Sequence, residues 1–90
     1  PNEPSAGSCF KNPPGEYAGR LIEAVGLKGE CRGAMAFSEV HANFLVNYGG
    51  GTYEDALFLI HEAQRRVREE FGIELQCEVV ILDAENDVKT

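Results

Sequence analysis

The sequence predicts an α+β fold, with a small antiparallel or mixed sheet that carries two helices packed on one face. Two patterns predict it: a long amphipathic helix at residues 53–71, and period-two alternation of apolar residues at 43–48 and 73–82. Elements with one apolar face must bury it, and helices layered on a sheet do so. Ninety residues suffice for one small domain of this kind.

A first, short helix is predicted over residues 15–26. Its apolar residues recur at helical spacing, at Ala18, Leu21, Ile22 and Val25. Gly26 favours a left-handed cap, which lets Leu27 fold back on the last turn. Gly19 weakens the helix interior but allows close packing against a strand.

The long helix has a start signal, an apolar stripe and a stop signal. Thr52 precedes it as a cap, with Asp55 three residues later. Gly72 follows it, and Glu62 and Arg66 form a favourable pair one turn apart. The stripe runs along one side through Ala56, Ile60, Ala63, Val67 and Phe71.

Three strands are predicted, over 31–37, 43–48 and 73–82. Residues 38–42 form a loose hairpin connection between the first two. In the second strand one face is formed by Phe44, Val46 and Tyr48. In the third, the face towards the helices is formed by Ile73, Leu75, Cys77, Val79 and Ile81.

The segment 6–15 is too rich in glycine and proline for a helix. Gly7 lets a ligand approach the backbone closely, and Pro13 and Pro14 favour an extended chain. We therefore expect a short, stiff, extended piece that presents a hydroxyl, an ammonium and an amide, from Ser8, Lys11 and Asn12.

Charge and composition narrow the classes of function. The net charge of −7 argues against non-specific binding of nucleic acid and against a membrane-surface role, but allows a small anionic ligand. No apolar run approaches the ~18 residues of a membrane span, and no basic-then-apolar leader marks the chain for export. Three widely spaced cysteines favour reduced thiols, so we expect a cytoplasmic protein.

The residue types alone leave three options open. Ser8, His41 and Glu78 are the residue types of a hydrolase triad, but no GxSxG motif surrounds the serine. His41, His61 and the cysteines match no common zinc spacing, so no metal site is predicted. The third option, a ligand-binding or interaction module without chemistry, is the one that composition favours.

Several separated motifs change this interpretation. They are residues 6–13 (AGSCFKNP), 17–23 (YAGRLIE), 26–29 (GLKG), 38–44 (SEVHANF) and 74–79 (ELQCEV). In order and spacing they resemble the C-terminal, substrate-binding domain of the UDP-N-acetylenolpyruvoylglucosamine reductase (UDP-N-acetylmuramate dehydrogenase) family, in its shorter type. The resemblance covers about residues 5–82.

The resemblance implies a flavoenzyme of peptidoglycan synthesis. In that family FAD takes a hydride from NADPH and passes it to UDP-GlcNAc-enolpyruvate, giving UDP-N-acetylmuramate. The family's proton-donating serine corresponds to Ser8, and its assisting glutamate to Glu78. Asn12 matches a substrate-binding residue, while Lys11 and His41 stand in matching motifs and are expected to contact substrate, Lys11 as a charge for the diphosphate.

Three residues depart from the family pattern. Cys9 replaces a bulky apolar residue, Cys77 a proline and Val80 an arginine, which alters the surroundings of Glu78.

The resemblance also predicts a domain organisation. We expect a leader at 1–5, the substrate-binding domain at 6–82 and an acidic tail at 83–90. No flavin-binding residue is predicted in this chain, so FAD and a further catalytic arginine belong to an upstream domain, and this domain alone is expected to be inactive. The alternative is a free-standing, non-catalytic binding or interaction module that kept the fold.

Overall fold

A computed structural model describes residues 5–78. The elements in chain order are β1 (Ser5–Ser8), α1 (Ala18–Ala24), β2 (Cys31–Arg32), β3 (Met35–Phe37), β4 (Phe44–Asn47) and α2 (Tyr53–Phe71). The strands form one sheet in the order β1-β4-β3-β2, and each neighbouring pair is antiparallel. The predicted α+β class is confirmed, with an antiparallel sheet among the described residues.

The prediction of one strand over 31–37 is wrong, because this segment is a tight hairpin. β2 and β3 pair Cys31 with Ala36 and Arg32 with Met35. Gly33 stands in the turn with φ +59°, a conformation that glycine adopts without steric cost. The predicted connection between β3 and β4 is a hairpin as expected, with Phe37 opposite Leu45.

Helix α2 has the predicted bounds, because its end signals are local. The Thr52 Oγ1 accepts a hydrogen bond from the Asp55 N–H at 3.0 Å, and Gly72 ends the helix at φ +69°. The Arg66 Nε donates to the Glu62 Oε2 at 2.8 Å, as expected.

Helix α1 is shorter than predicted at its start. It begins at Ala18 rather than at residue 15, because a turn precedes it in which Gly15 has φ +75°. Its end is as expected: Gly26 has φ +83°, and the Leu27 N–H donates to the Ile22 carbonyl at 3.1 Å.

The core lies between the sheet and the two helices. Met35, Phe37 and Leu45 face it from the sheet, and it is completed mainly by side chains of both helices, among them Leu21, Ile22, Leu59, Ile60, Ala63 and Val67. Two predicted core residues are not buried: Tyr48, beyond the end of β4, is 57% exposed, and Phe71, in the last turn of α2, is 41% exposed. Phe71 is the last residue of α2, and Tyr48 directly follows β4.

The predicted strand 73–82 is not a sheet strand in its described part. Residues 73–78 make one isolated antiparallel bridge, between Cys77 and Phe10. Leu75 is buried, whereas Cys77 is exposed. The segment is held by pairing with residues 9–11 and by the Gln64 side chain, which donates to the Leu75 carbonyl at 3.0 Å.

Some predictions fall outside the described part of the chain. Residues 79–82 of the predicted strand and the predicted tail, 83–90, are among these. Of the predicted leader, only Ser5 is described, and it begins β1. Neither described helix is long and apolar enough to cross a membrane.

Candidate functional site

Asn43 holds the segment that follows β1 from one side. Its carbonyl accepts from the Cys9 N–H at 2.7 Å. Its side-chain amide binds the backbone of Phe10 twice: Oδ1 accepts from the N–H at 3.0 Å, and Nδ2 donates to the carbonyl at 2.9 Å. The side chain of Asn43 thus does for Phe10 what a peptide group of a neighbouring strand would do.

The other side of this segment is held by residues 76–78. The Lys11 N–H donates to the Gln76 carbonyl at 2.8 Å, and the Glu78 N–H donates to the Cys9 carbonyl at 3.0 Å. Cys9, Phe10 and Lys11 therefore have every backbone N–H paired, which supports the stiff, extended segment predicted here. The stiffness comes from partners on both sides in addition to the prolines.

Backbone pairing of the segment after β1 with residues 76–78 brings Ser8 and Glu78 close together. Ser8 is half-buried at the end of β1, opposite Phe44. Glu78 is exposed, and its N–H is bonded to the residue that follows Ser8. The pairing brings these two backbone segments together although seventy positions separate the residues in sequence.

Beside this segment lies an open groove between α1 and the loop 38–42, with a volume of about 450 Å³. Asn12 and His41 both line it, whereas Ser8, Lys11 and Glu78 do not. The groove is lined by Asn12, Tyr17, Gly19, Arg20, Glu23, Lys28, Val40, His41, Ala42, Asn43 and Phe44.

Asn12 has a structural contact in addition to its place in the groove. Its Oδ1 accepts a hydrogen bond from the Ala18 N–H at 2.9 Å, which satisfies the first amide of α1. Tyr17, at the capping position itself, makes no such side-chain bond. The start of α1 is therefore fixed by a residue from the extended segment.

The position of His41 is set by Ser38, which the sequence analysis missed. The Ser38 side chain is buried, and its Oγ accepts from the backbone N–H groups of Val40 at 3.0 Å and His41 at 3.1 Å. The His41 ring lies 5.6 Å from the ring of Phe44 and is tilted by 45°. A serine that precedes a short turn is a known signal for such a bond, but nothing in the sequence shows that it is buried.

The groove carries two basic side chains whose charges are partly compensated. Arg20 forms an ion pair with Glu16, with Nε donating to Oε1 at 2.9 Å. The bond from Arg20, together with the Tyr17 N–H, lowers the pKa of Glu16. Lys28 lies 3.8 Å from Glu23 and is more than one third exposed. A polar or anionic ligand in this groove would thus meet amide, imidazole and ammonium donors.

The histidines and cysteines considered as metal ligands are not clustered in the described residues. Between residues 5 and 78 there is no cluster of three or more His, Cys, Asp or Glu side chains that could hold a metal ion. His61 is exposed on α2 and does not line the groove. The cysteines are free thiols: Cys9 is buried, and Cys31 and Cys77 are exposed.

Comparison with known proteins gives one consistent result. The sequence-family model of the UDP-N-acetylenolpyruvoylglucosamine reductase C-terminal domain matches residues 1–82. The reductase of that name from Helicobacter hepaticus is 66% identical over 82 residues, which are 91% of this chain and 31% of that protein. The one from Anaeromyxobacter dehalogenans is 58% identical over 81 residues, 90% of this chain and 25% of that protein.

A solved structure agrees with these relatives. The crystal structure of UDP-N-acetylenolpyruvylglucosamine reductase from Thermus caldophilus matches with a TM-score of 0.65 and 50% identity. The match covers 82% of this chain and 26% of that one, so the chain spans a quarter to a third of the relatives' length. With its fold, its motifs and its relatives in agreement, the chain belongs to the family of UDP-N-acetylenolpyruvoylglucosamine reductase C-terminal domains.

Proposed function

We propose that this chain is the substrate-binding part of a cytoplasmic flavoenzyme that reduces UDP-GlcNAc-enolpyruvate to UDP-N-acetylmuramate for peptidoglycan synthesis. The observation that carries the proposal is the segment of residues 9–11, which directly follows Ser8 and is held between Asn43 and residues 76–78. The family membership supports the reaction class. The hydride comes from NADPH by way of FAD, which is bound by an upstream region.

The role of Ser8 is to complete the reduction with a proton. Hydride addition to the far carbon of the enolpyruvyl double bond leaves a carbanion next to the carboxylate. The Ser8 Oγ–H bond breaks, its proton goes to that carbon, and the alkoxide regains a proton from solvent. A serine hydroxyl is a weak acid, so the step depends on a positioned donor and a strongly basic acceptor. The half-buried position of Ser8 and the paired backbone beyond it fit this requirement.

The other predicted site residues have supporting roles. Glu78, paired through its backbone with Cys9, orients the carboxylate of the substrate or polarises the intermediate. Asn12 and His41 bind the nucleotide-sugar part in the groove, which both side chains line. Lys11 is exposed next to Asn12 and meets the diphosphate as a point charge.

One turn of the described residues has the form of a dinucleotide cradle, but a side chain of this chain fills it. A glycine-rich turn that opens a helix is the usual cradle for a dinucleotide diphosphate, and residues 49–51 form such a turn before α2. However, Asn47 already occupies it, since its Oδ1 accepts from the N–H groups of Gly49 at 2.9 Å and Gly51 at 3.0 Å. We therefore assign no FAD contact to this turn, and our proposal leaves cofactor binding to the upstream region.

The test separates the two half-reactions in the complete polypeptide that contains this domain. Ser8→Ala is expected to leave flavin reduction by NADPH unchanged and to slow flavin reoxidation by UDP-GlcNAc-enolpyruvate by about a hundredfold or more. Thr52→Ala, which removes an exposed hydroxyl at the start of α2, serves as the control and is expected to change neither rate. Reoxidation at the parent rate in Ser8→Ala would refute the proton-donor role of Ser8.

A further inference from the structure

We propose that Asn43 is the positioning residue for the proton donor, acting through the backbone of Phe10. This inference rests on the proposed role of Ser8. Asn43 precedes Phe44, which pairs with Ser8 at the last register position of β1 and β4. One residue beyond that pair, β1 leaves the sheet, and the side chain of Asn43 takes over as the partner of the departing strand.

The two bonds to Phe10 are specific for a primary amide. One bond needs an acceptor for the Phe10 N–H, and the other needs a donor for the Phe10 carbonyl. An aspartate offers only the acceptor, and an alanine offers neither. Because the Phe10 side chain is fully buried, its peptide groups have little access to water as a substitute partner.

Helix α1 contacts the same side chain from the groove side. Gly19 has no side chain there, and a Cβ placed on it would lie 3.7 Å from the Asn43 Cβ. The close approach of α1 leaves Asn43 half-buried between the helix and the segment that it holds. The base of the Asn43 side chain therefore packs against α1, while the residue also borders the groove.

Loss of these two bonds is expected to disturb the alignment of Ser8 with the substrate more than the affinity for the substrate. Ser8 must point at a single carbon of the bound substrate, and a displacement of about 1 Å can cost a hundredfold in rate. The Cys9 N–H bond to the Asn43 carbonyl survives any substitution of the side chain, so β1 remains paired with β4. The Phe10 N–H and carbonyl lose their partner on the β4 side, so that only the bonds to residues 76–78 then direct the chain beyond β1.

The experiment is a double-mutant cycle in the complete polypeptide, with reoxidation by UDP-GlcNAc-enolpyruvate and reduction by NADPH measured per folded enzyme. Asn43→Ala is expected to slow reoxidation at saturating substrate about tenfold to a hundredfold, with the reduction rate unchanged. Asn43→Asp, which keeps the acceptor, is expected to lie between Asn43→Ala and the parent. In the Ser8→Ala background, Asn43→Ala should slow the residual rate less than about twofold, because the donor that it positions is absent.

Asn47→Ala is the matched control. Asn47 is the last residue of β4, the strand that Asn43 directly precedes, and its side chain also makes two backbone hydrogen bonds, but in the turn that leads into α2. It is expected to lower stability without slowing reoxidation. A loss in Asn43→Ala no larger than in Asn47→Ala, or an equal loss with and without the Ser8 hydroxyl, would overturn the inference while leaving the role of Ser8 intact. A parent rate in Ser8→Ala alone would overturn both proposals.

Discussion

The Asn12 Oδ1 accepts a hydrogen bond from the Ala18 N–H at 2.9 Å, six residues further along the chain. The residue that the family resemblance assigns to substrate binding therefore also begins helix α1. Asn12 and α1 both border the groove, so this bond joins two parts of its wall. The helix contact of Asn12 and its proposed role in substrate binding therefore fall on a single side chain.

Two substitutions of Asn12 separate these roles. Asn12→Ala removes the acceptor and is expected to lower the free energy of unfolding by about 1 kcal/mol, the usual cost of losing a helix cap. Asn12→Asp keeps an acceptor and is expected to restore most of that stability. It loses the amide donor and adds a negative charge, so binding of a uridine diphosphate sugar should stay weak. Urea unfolding and calorimetric titration measure the two effects, and equal stability of both variants would contradict the capping role.

Ser38 is expected to control the position of His41 without touching a ligand. Ser38→Ala leaves the N–H groups of Val40 and His41 without their acceptor, and should cost about 1–2 kcal/mol of stability. NMR shifts of the His41 ring should move at the same time. Thr52→Ala removes a comparable bond at the exposed start of α2, so it should destabilise the fold and leave the His41 shifts in place. Unchanged His41 shifts in Ser38→Ala would show that the loop is held by other contacts.

Two glycines are expected to respond to alanine with opposite signs. At Gly19 the new Cβ makes an ordinary contact at 3.7 Å, so Gly19→Ala should stabilise the protein by up to about 1 kcal/mol through helix propensity. At Gly51 it would lie 2.5 Å from the Met35 Sδ and 2.9 Å from the Asn47 Oδ1, so Gly51→Ala should cost about 1–3 kcal/mol. The midpoints of urea unfolding test both signs, and stabilisation by Gly51→Ala would mean that this turn is loosely packed.

Stability should decline in alkaline solution because of Cys9. Burial, with a smaller effect from Cys77, raises the pKa of the Cys9 thiol far above its usual range. In the unfolded chain the thiol loses its proton above about pH 8.5, whereas in the folded chain it keeps it. The unfolded state then binds fewer protons, so stability is lost as pH rises, by up to about 1.4 kcal/mol per pH unit.

The cysteine variants isolate this effect. Cys9→Ala should flatten most of the alkaline slope of the unfolding free energy between pH 8 and about pH 10. A smaller alkaline slope should remain, because partial burial of the Cys77 thiol also raises its pKa. The exposed Cys31 provides the control, and Cys31→Ala should keep the full slope. An unchanged slope in Cys9→Ala would assign the alkaline loss to other groups.

Local signals in the sequence were sufficient for the long helix and for the end of the short one. Thr52 and Gly72 act within one turn of the residues that they cap, so α2 was predicted with its observed bounds. The strand predictions were less accurate where the pattern of apolar residues fits more than one structure. The run 31–37 does not show that Gly33 is in a turn. The alternation at 73–78 predicts a sheet strand, whereas the backbone bonds in the described part of the chain pair this segment with residues 9–11.

The sequence by itself determined the α+β class, the amphipathic helices and the motifs that identify the family, because these depend on the types and spacing of residues near each other in the chain. The tertiary structure alone decided which distant residues support the candidate site. Asn43 meets Phe10 and Ser38 is buried under the His41 loop only after the sheet has formed. A polar side chain in a sequence does not reveal whether it will meet solvent or a distant backbone, since that depends on how the chain packs.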